Sequence, residues 1–193
     1  MTKIVFSNIK YPSSLPEDKF SHVFDRSIIT EAGMKGRKGE NRGWIFDSRF
    51  GLANTKDLQM VADYFVDILD KNNINQVAVK GYGAYLLVGS VIVSSYTPIT
   101  GCIIRESAKE HDRGRIIEGD YDPTKPILLM DDILNSGKSS VSAVNILKKQ
   151  GWKNTDINCG FMMTFLWGTG AMKLHQQGLS SGQIIKGIEV RQK

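Results

Sequence analysis

Cysteine is nearly missing from this sequence: Cys102 and Cys159 are the only two among 193 residues. They form no CxxC pair, which excludes a disulfide framework and a structural zinc site and makes a reducing cytoplasm the expected compartment. Histidine is almost as scarce, at three residues. His22 and His175 have no partner at ligand spacing and read as surface or packing residues. Long apolar runs are lacking too. No stretch approaches the ~18 apolar residues of a membrane span, and Met1 to Lys10 has too short an apolar run for a signal peptide. No membrane partner is expected. With no internal repeat, low-complexity tract or linker, residues 1–193 are expected to form a single domain. What is present suits a globular chain: 41% hydrophobic and 23% charged residues, at a length that buries roughly 70% of the unfolded surface.

A net charge of +5 points to an anionic partner, either nucleic acid or a phosphorylated small molecule. The densest basic stretch runs from Lys35 to Arg42, with Arg37 and Lys38 inside it and Gly33, Gly36, Gly39 and Gly43 interleaved. It reads as a flexible basic loop, and a solvated surface loop explains it as well as a binding role does.

Hydrophobic spacing lays out the elements. Trp44 to Phe46 is a predicted strand. Asn54 and Asp57 can cap a helix in which Leu58, Val61, Ala62, Phe65, Ile68 and Leu69 recur at helical spacing. Val77 to Val79 is a short buried strand, and Gly81-Tyr82-Gly83 turns into an apolar helix over 84–94. Further strands are predicted over 99–104, 115–118, 127–130 and 157–167, and a helix over 140–150 closed by Gly151. The polar 105–114 stretch has almost no apolar anchor and reads as a mobile loop. Apolar strands alternating with helices give an α/β domain: a mainly parallel central sheet flanked by helices.

The most informative segment is Ile127-Leu-Leu-Met130-Asp131-Asp132-Ile-Leu-Asn135-Ser136-Gly137-Lys138-Ser139-Ser140. Two adjacent carboxylates stand at the carboxyl end of a buried strand, where open α/β sheets place ligands. Small polar residues follow and open a helix whose N–H groups and positive dipole end favour phosphate. Acids and phosphate cradle must serve different parts of one ligand. A sugar phosphate satisfies both, its hydroxyls donating to the acids while its phosphate sits on the helix. Other motifs fall short. Gly137-Lys138-Ser139 is not a P-loop, because Asp132 stands where that motif needs glycine. Gly81-Tyr82-Gly83 misses a dinucleotide fingerprint at Leu86. Gly178 to Gly182 matches a nucleophile elbow formally, but no apolar strand precedes it and no histidine follows.

The 127–140 segment resembles the signature of type I phosphoribosyltransferases: four apolar residues, two acids, two apolar residues and a small hydroxyl-rich phosphate loop. Asn135 departs from it, standing where the family usually has threonine or another small residue. Arg105-Glu-Ser-Ala-Lys109-Glu-His111, with Gly114 and Ile117-Glu-Gly119 behind it, is similar to the catalytic loop of orotate phosphoribosyltransferases. Trp44-Ile-Phe-Asp47-Ser-Arg49 is similar to that subfamily's early aromatic, Asp and Arg pattern. Glu106 stands where the subfamily usually has lysine, and residues 25–43 do not reproduce its base-covering segment.

The resemblance implies transfer of a phosphoribosyl group from phosphoribosyl pyrophosphate to a nucleobase, orotate foremost, with release of pyrophosphate. It implies that Asp131 and Asp132 hold the ribose and stabilise positive charge, and that Asn135, Ser136, Gly137, Lys138 and Ser139 bind the 5-phosphate. Arg105, Lys109 and His111 would close over the pyrophosphate, Lys109 or His111 giving a proton, with Lys80, Gly81 and Tyr82 as a pyrophosphate-contacting turn. Mg²⁺ is the implied cofactor, held mainly through substrate without protein ligands of its own. A homodimer is implied, as is a small hood of N-terminal and C-terminal residues over the site, with 1–43 its base-covering part. The rival expectation is a regulator on the same fold that senses phosphoribosyl pyrophosphate and binds nucleic acid. A catalytic-type loop argues against it.

Overall fold

The structure is a computed structural model in which residues 17–30, 44–107 and 115–190 are described. Lys109 and His111, the Lys35 to Arg42 stretch and most of the expected hood segment lie outside these residues.

The central strands form where apolar residues run without interruption. They are β3 (Gln76–Lys80), β4 (Thr100–Ile104), β6 (Ile127–Leu134) and β7 (Ile157–Phe165). With β5 (Ile117–Gly119), β8 (Ile184–Ile185) and β9 (Ile188–Val190) they make one sheet in the order β5-β4-β3-β6-β7-β8, β9 also pairing with β7. Every pairing in it is parallel except that of β4 with β5. Residues 184–190 thus join the main sheet, and the described part of the hood is N-terminal.

Side-chain alternation sends successive residues of each strand to opposite faces. Val77, Val79, Leu128 and Met130 enter one core with Phe65, Leu69 and Leu87. Ala78, Ile104, Ile127 and Leu129 enter the other with Val144, Leu147 and Leu174. Helices α3 (Thr55–Lys71) and α4 (Tyr85–Ser94) cover the first face, and α5 (Lys138–Lys149) and α6 (Gly170–Gln176) the second. The sheet is therefore buried on both sides, as a parallel sheet requires. Helix α3 begins as its sequence predicts: the Asn54 side chain accepts the Asp57 N–H at 3.0 Å, the usual satisfaction of a free first-turn donor.

Helix α1 (Glu17–Ser27), β1 (Ile28–Ile29), β2 (Ile45–Phe46) and the single turn α2 (Ser48–Gly51) form a separate small layer. Strands β1 and β2 pair antiparallel, Ile28 opposite Phe46. Aromatic contacts fasten the layer to the end of β7: Phe46 packs edge-on against Phe165 at 6.3 Å between ring centres, and Phe24 packs on Phe46 at 5.7 Å.

Strand β6 departs most from the sequence reading. It does not end at Met130 but continues through both acids to Leu134, because Asp131, Ile133 and Leu134 pair with Phe161, Met163 and Thr164 of β7. Helix α5 accordingly starts two residues earlier than predicted, at Lys138.

Candidate active site

The carboxyl ends of β3, β4 and β6, the start of α5 and the β2–α2 corner enclose a cavity of about 630 Å³. Its position follows from the strand directions: three parallel strands deliver their ends to one edge of the sheet.

Because Asp131 and Asp132 lie within β6, alternation points them to opposite faces. Asp131 shares the face of Leu129 and Ala78, hence that of α5. Asp132 shares the face of Met130, hence that of the small N-terminal layer. Asp132 is held at both oxygens: the Ile133 N–H donates to Oδ1 at 2.9 Å, and the buried Ser48 hydroxyl donates to Oδ2. Gly83 makes room for this carboxylate, since a Cβ there would stand 2.5 Å from Asp132 Oδ2. Asp131 accepts the Asp132 N–H at 3.0 Å. Burial holds the Asp131 carboxyl well above the usual carboxylate range, the charge of Asp132 adds to that, and Lys80 opposes it.

The turn after β6 carries Asn135, Ser136 and Gly137. Gly137 has φ +70°, and a Cβ on it would meet the Gly170 backbone at 2.7 Å, so the residue is required both for the turn and for its close approach to α6. Helix α6 braces the turn from behind: Gly170 N–H donates to the Asn135 carbonyl at 2.8 Å, and Lys173 Nζ donates to the Ser136 carbonyl at 2.9 Å. Lys138 and Ser139 line the cavity with Ser142 one turn on. No side chain caps α5, so its first-turn N–H groups keep their affinity for an anion. Asn135, Ser136 and Gly137 shape the turn without lining the cavity.

Opposite the acids, Lys80 ends β3. Its side chain is only 4% exposed and its Nζ donates to Glu106 Oε2 at 2.7 Å, while the Glu106 side chain is 72% exposed. The parallel register explains the meeting. Lys80 is paired with Ile104, the last residue of β4, and Glu106 follows two residues later. Arg105, between them, points away and pairs with Glu118 of β5. Of the Arg105-Glu106 dipeptide it is therefore Glu106 that lines the cavity, and the structure does not bring Arg105 to the acids. Gly81 and Tyr82 line it beside Lys80.

The Asp47-Ser48-Arg49 pattern is visible in the sequence, but its contacts are not. In the structure Asp47 and Arg49 line the cavity and pair with each other, Arg49 Nε donating to Asp47 Oδ1 at 2.7 Å. That hydrogen bond holds the Asp47 carboxyl below its usual range. The Ser48 contact with Asp132 spans 84 residues, and no local pattern signals it. Among the described residues no cluster of three or more acidic, His or Cys side chains offers a metal cage.

No family model matches the chain. It is 30% identical over 139 residues to the orotate phosphoribosyltransferase of Pyrococcus abyssi, a match covering 71% of this chain and 75% of that one. Its fold is similar to crystallised Mycobacterium tuberculosis orotate phosphoribosyltransferase, with a TM-score of 0.73 at 15% identity over 90% of this chain and 94% of the other. A crystal structure of that mycobacterial protein in complex with 5-phospho-α-D-ribosyl 1-diphosphate superposes with a TM-score of 0.62 at 17% identity, covering 76% and 79%. At these identities the two structures speak for the fold.

Proposed function

This chain belongs to the orotate phosphoribosyltransferase family, and on that premise we propose how its own residues carry out the transfer. The enzyme moves the phosphoribosyl group of phosphoribosyl pyrophosphate onto orotate and releases pyrophosphate. A ring nitrogen of the base forms the new bond to C1 of the ribose, and the bond from C1 to the pyrophosphate oxygen breaks, its electron pair leaving with that oxygen. Positive charge grows on the ribose as negative charge grows on the leaving group.

The observation that carries the assignment is a single cavity with two acids on its β6 wall, an uncapped helix N-terminus beside them and a buried lysine on β3. Asp131 and Asp132 bind the ribose hydroxyls, and the charge of Asp132, fixed in advance by Ser48 and the Ile133 N–H, stabilises the cationic ribose. The start of α5, with Lys138, Ser139 and Ser142, takes the 5-phosphate. Lys80, Gly81 and Tyr82 receive the pyrophosphate. From the family resemblance, Lys109 and His111 add positive charge and a proton to the leaving group.

Mg²⁺ suits this donor set as an ion held by substrate oxygens and water. Among the described residues no cluster of three or more acidic, His or Cys side chains is at hand to hold the ion, and Mg²⁺ characteristically binds through phosphates with few protein carboxylates. Bound with the substrate, such an ion would neutralise charge on the diphosphate, while Asp131 and Asp132 hold the ribose hydroxyls. Leu86, Val93 and Tyr96, exposed on and just after α4, support a homodimer, which would cover them. Two buried free cysteines agree with the cytoplasm as its compartment.

A panel of bases incubated with phosphoribosyl pyrophosphate and Mg²⁺, read by pyrophosphate release, tests the reading. Orotate should give turnover well above the other bases. Preference for another base would remove the orotate assignment, and release with none of them would remove the transferase itself.

A further inference from the structure

We propose that Glu106 is a built-in competitor for the pyrophosphate subsite: in the free protein its carboxylate occupies the lysine that the leaving group needs, and pyrophosphate binds only by turning it out. The inference rests on the reading of Lys80 given above.

The two ends of the Lys80–Glu106 pair are held very differently. Lys80 emerges from a fully buried strand and its side chain is 4% exposed. An ammonium so placed has lost most of its water and needs an anion beside it. Glu106 supplies one at 2.7 Å, yet its own side chain is 72% exposed, so its carboxylate can return to solvent with little loss of hydration. The pair is therefore fixed at the lysine end and removable at the glutamate end.

Charge sets the direction of the exchange. A diphosphate brings several negative charges and more acceptor oxygens to the same ammonium, and a carboxylate left in place would repel it. Occupancy of this subsite thus carries a penalty that belongs to this chain's own residue. The same penalty works in reverse when pyrophosphate must leave, because Glu106 recaptures Lys80 as it departs. Glu106 trades affinity for release, and it does so without touching the ribose or the base.

Glu106→Gln keeps the shape and removes the charge. Titration of the full-length protein with inorganic pyrophosphate and Mg²⁺ should show binding tightened by about tenfold, the scale of a single displaced charge partner at a partly desolvated site. The KM for phosphoribosyl pyrophosphate should fall in parallel, and pyrophosphate should become the stronger product inhibitor. Unchanged or weaker pyrophosphate binding in Glu106→Gln overturns the proposal, weaker binding meaning that the carboxylate helps to hold the ligand.

Lys80→Met, close in size and uncharged, separates the two readings. If it weakens pyrophosphate binding while Glu106→Gln changes nothing, Lys80 keeps its role and only the competitor is lost. If Lys80→Met leaves pyrophosphate binding intact, both fall. In the double variant the gain from Glu106→Gln should vanish, since Glu106 acts through Lys80. A gain that persists would mean general repulsion across the cavity and would likewise overturn the proposal.

Discussion

The acids of β6 and the lysine of β3 line one cavity, but only the acids are set by permanent partners. Asp132 is anchored by a backbone N–H within its own strand and by the buried Ser48 hydroxyl, and Asp131 by the Asp132 N–H. These donors are part of the fold and cannot leave. Lys80 is matched by a side chain that is mostly in water. A transferase needs such a difference. The ribose side must be oriented before charge develops, because reorganising dipoles during the reaction would consume the stabilisation they offer. The diphosphate side must accept a highly charged group and then let it go.

If the acid edge is the preorganised one, disabling it should have the largest effect on turnover. Changing Asp131 and Asp132 together to Asn keeps their size and removes the charge proposed to face the cationic ribose. Turnover with orotate should drop by at least about 100-fold, the scale of lost electrostatic stabilisation at a reacting centre, with circular dichroism unchanged. Activity within a few-fold of the parent would erase the distinction between the two edges.

A smaller effect asks whether Ser48 is what makes the acid edge permanent. Ser48→Ala leaves Asp132 in place and takes away the donor at Oδ2, so kcat/KM should fall by about 3- to 10-fold, the usual net worth of one hydrogen bond. In the Asp132→Asn background the same change should add almost nothing. An undiminished Ser48 effect in that background would mean that the residue supports the small N-terminal layer and not the acid.

The contrast between the edges also marks what one sequence reveals. The acid pair, the glycine-containing turn and the helix after them are contiguous, so their chemistry and order were legible from residues 127–140. The α3 repeat with its Asn54 cap was legible for the same reason. Contacts made by topology were not. Lys80 and Glu106 meet because β3 and β4 lie side by side in parallel register, and Ser48 meets Asp132 because a short aromatic-anchored layer folds over the end of the sheet. The end of β6 was misplaced for a related reason. Two adjacent Asp residues resemble a turn locally, whereas the facing residues of β7 keep them in the sheet. Side-chain direction past the end of β4 was not legible either: the arginine of Arg105-Glu106 pairs with Glu118 and the glutamate with Lys80.

The smallest expected effect is thermodynamic, and it tests whether the permanence of the acid edge carries a stability cost. Burial raises the Asp131 pKa well above its ordinary 3.8, with the charge of Asp132 in support. Between the ordinary value and the raised one, the folded chain keeps this proton while the unfolded chain has lost it. The unfolded state then binds fewer protons, so stability falls as pH rises through that window. Asn has no proton to lose. Asp131→Asn should therefore melt close to the parent below the ordinary carboxylate pKa and progressively above it as pH increases, by about 2–4 °C once the window is passed. Thermal melts of both proteins in matched ionic strength from pH 3 to pH 8 measure the difference. A Tm gap that grows shows an acid kept in a dry position for the sake of the reaction, stability given up for function. A gap that stays flat, or closes, would mean that Asp131 ionises as freely as an exposed carboxylate, and the acid edge would then be no more fixed than Lys80 and its removable partner.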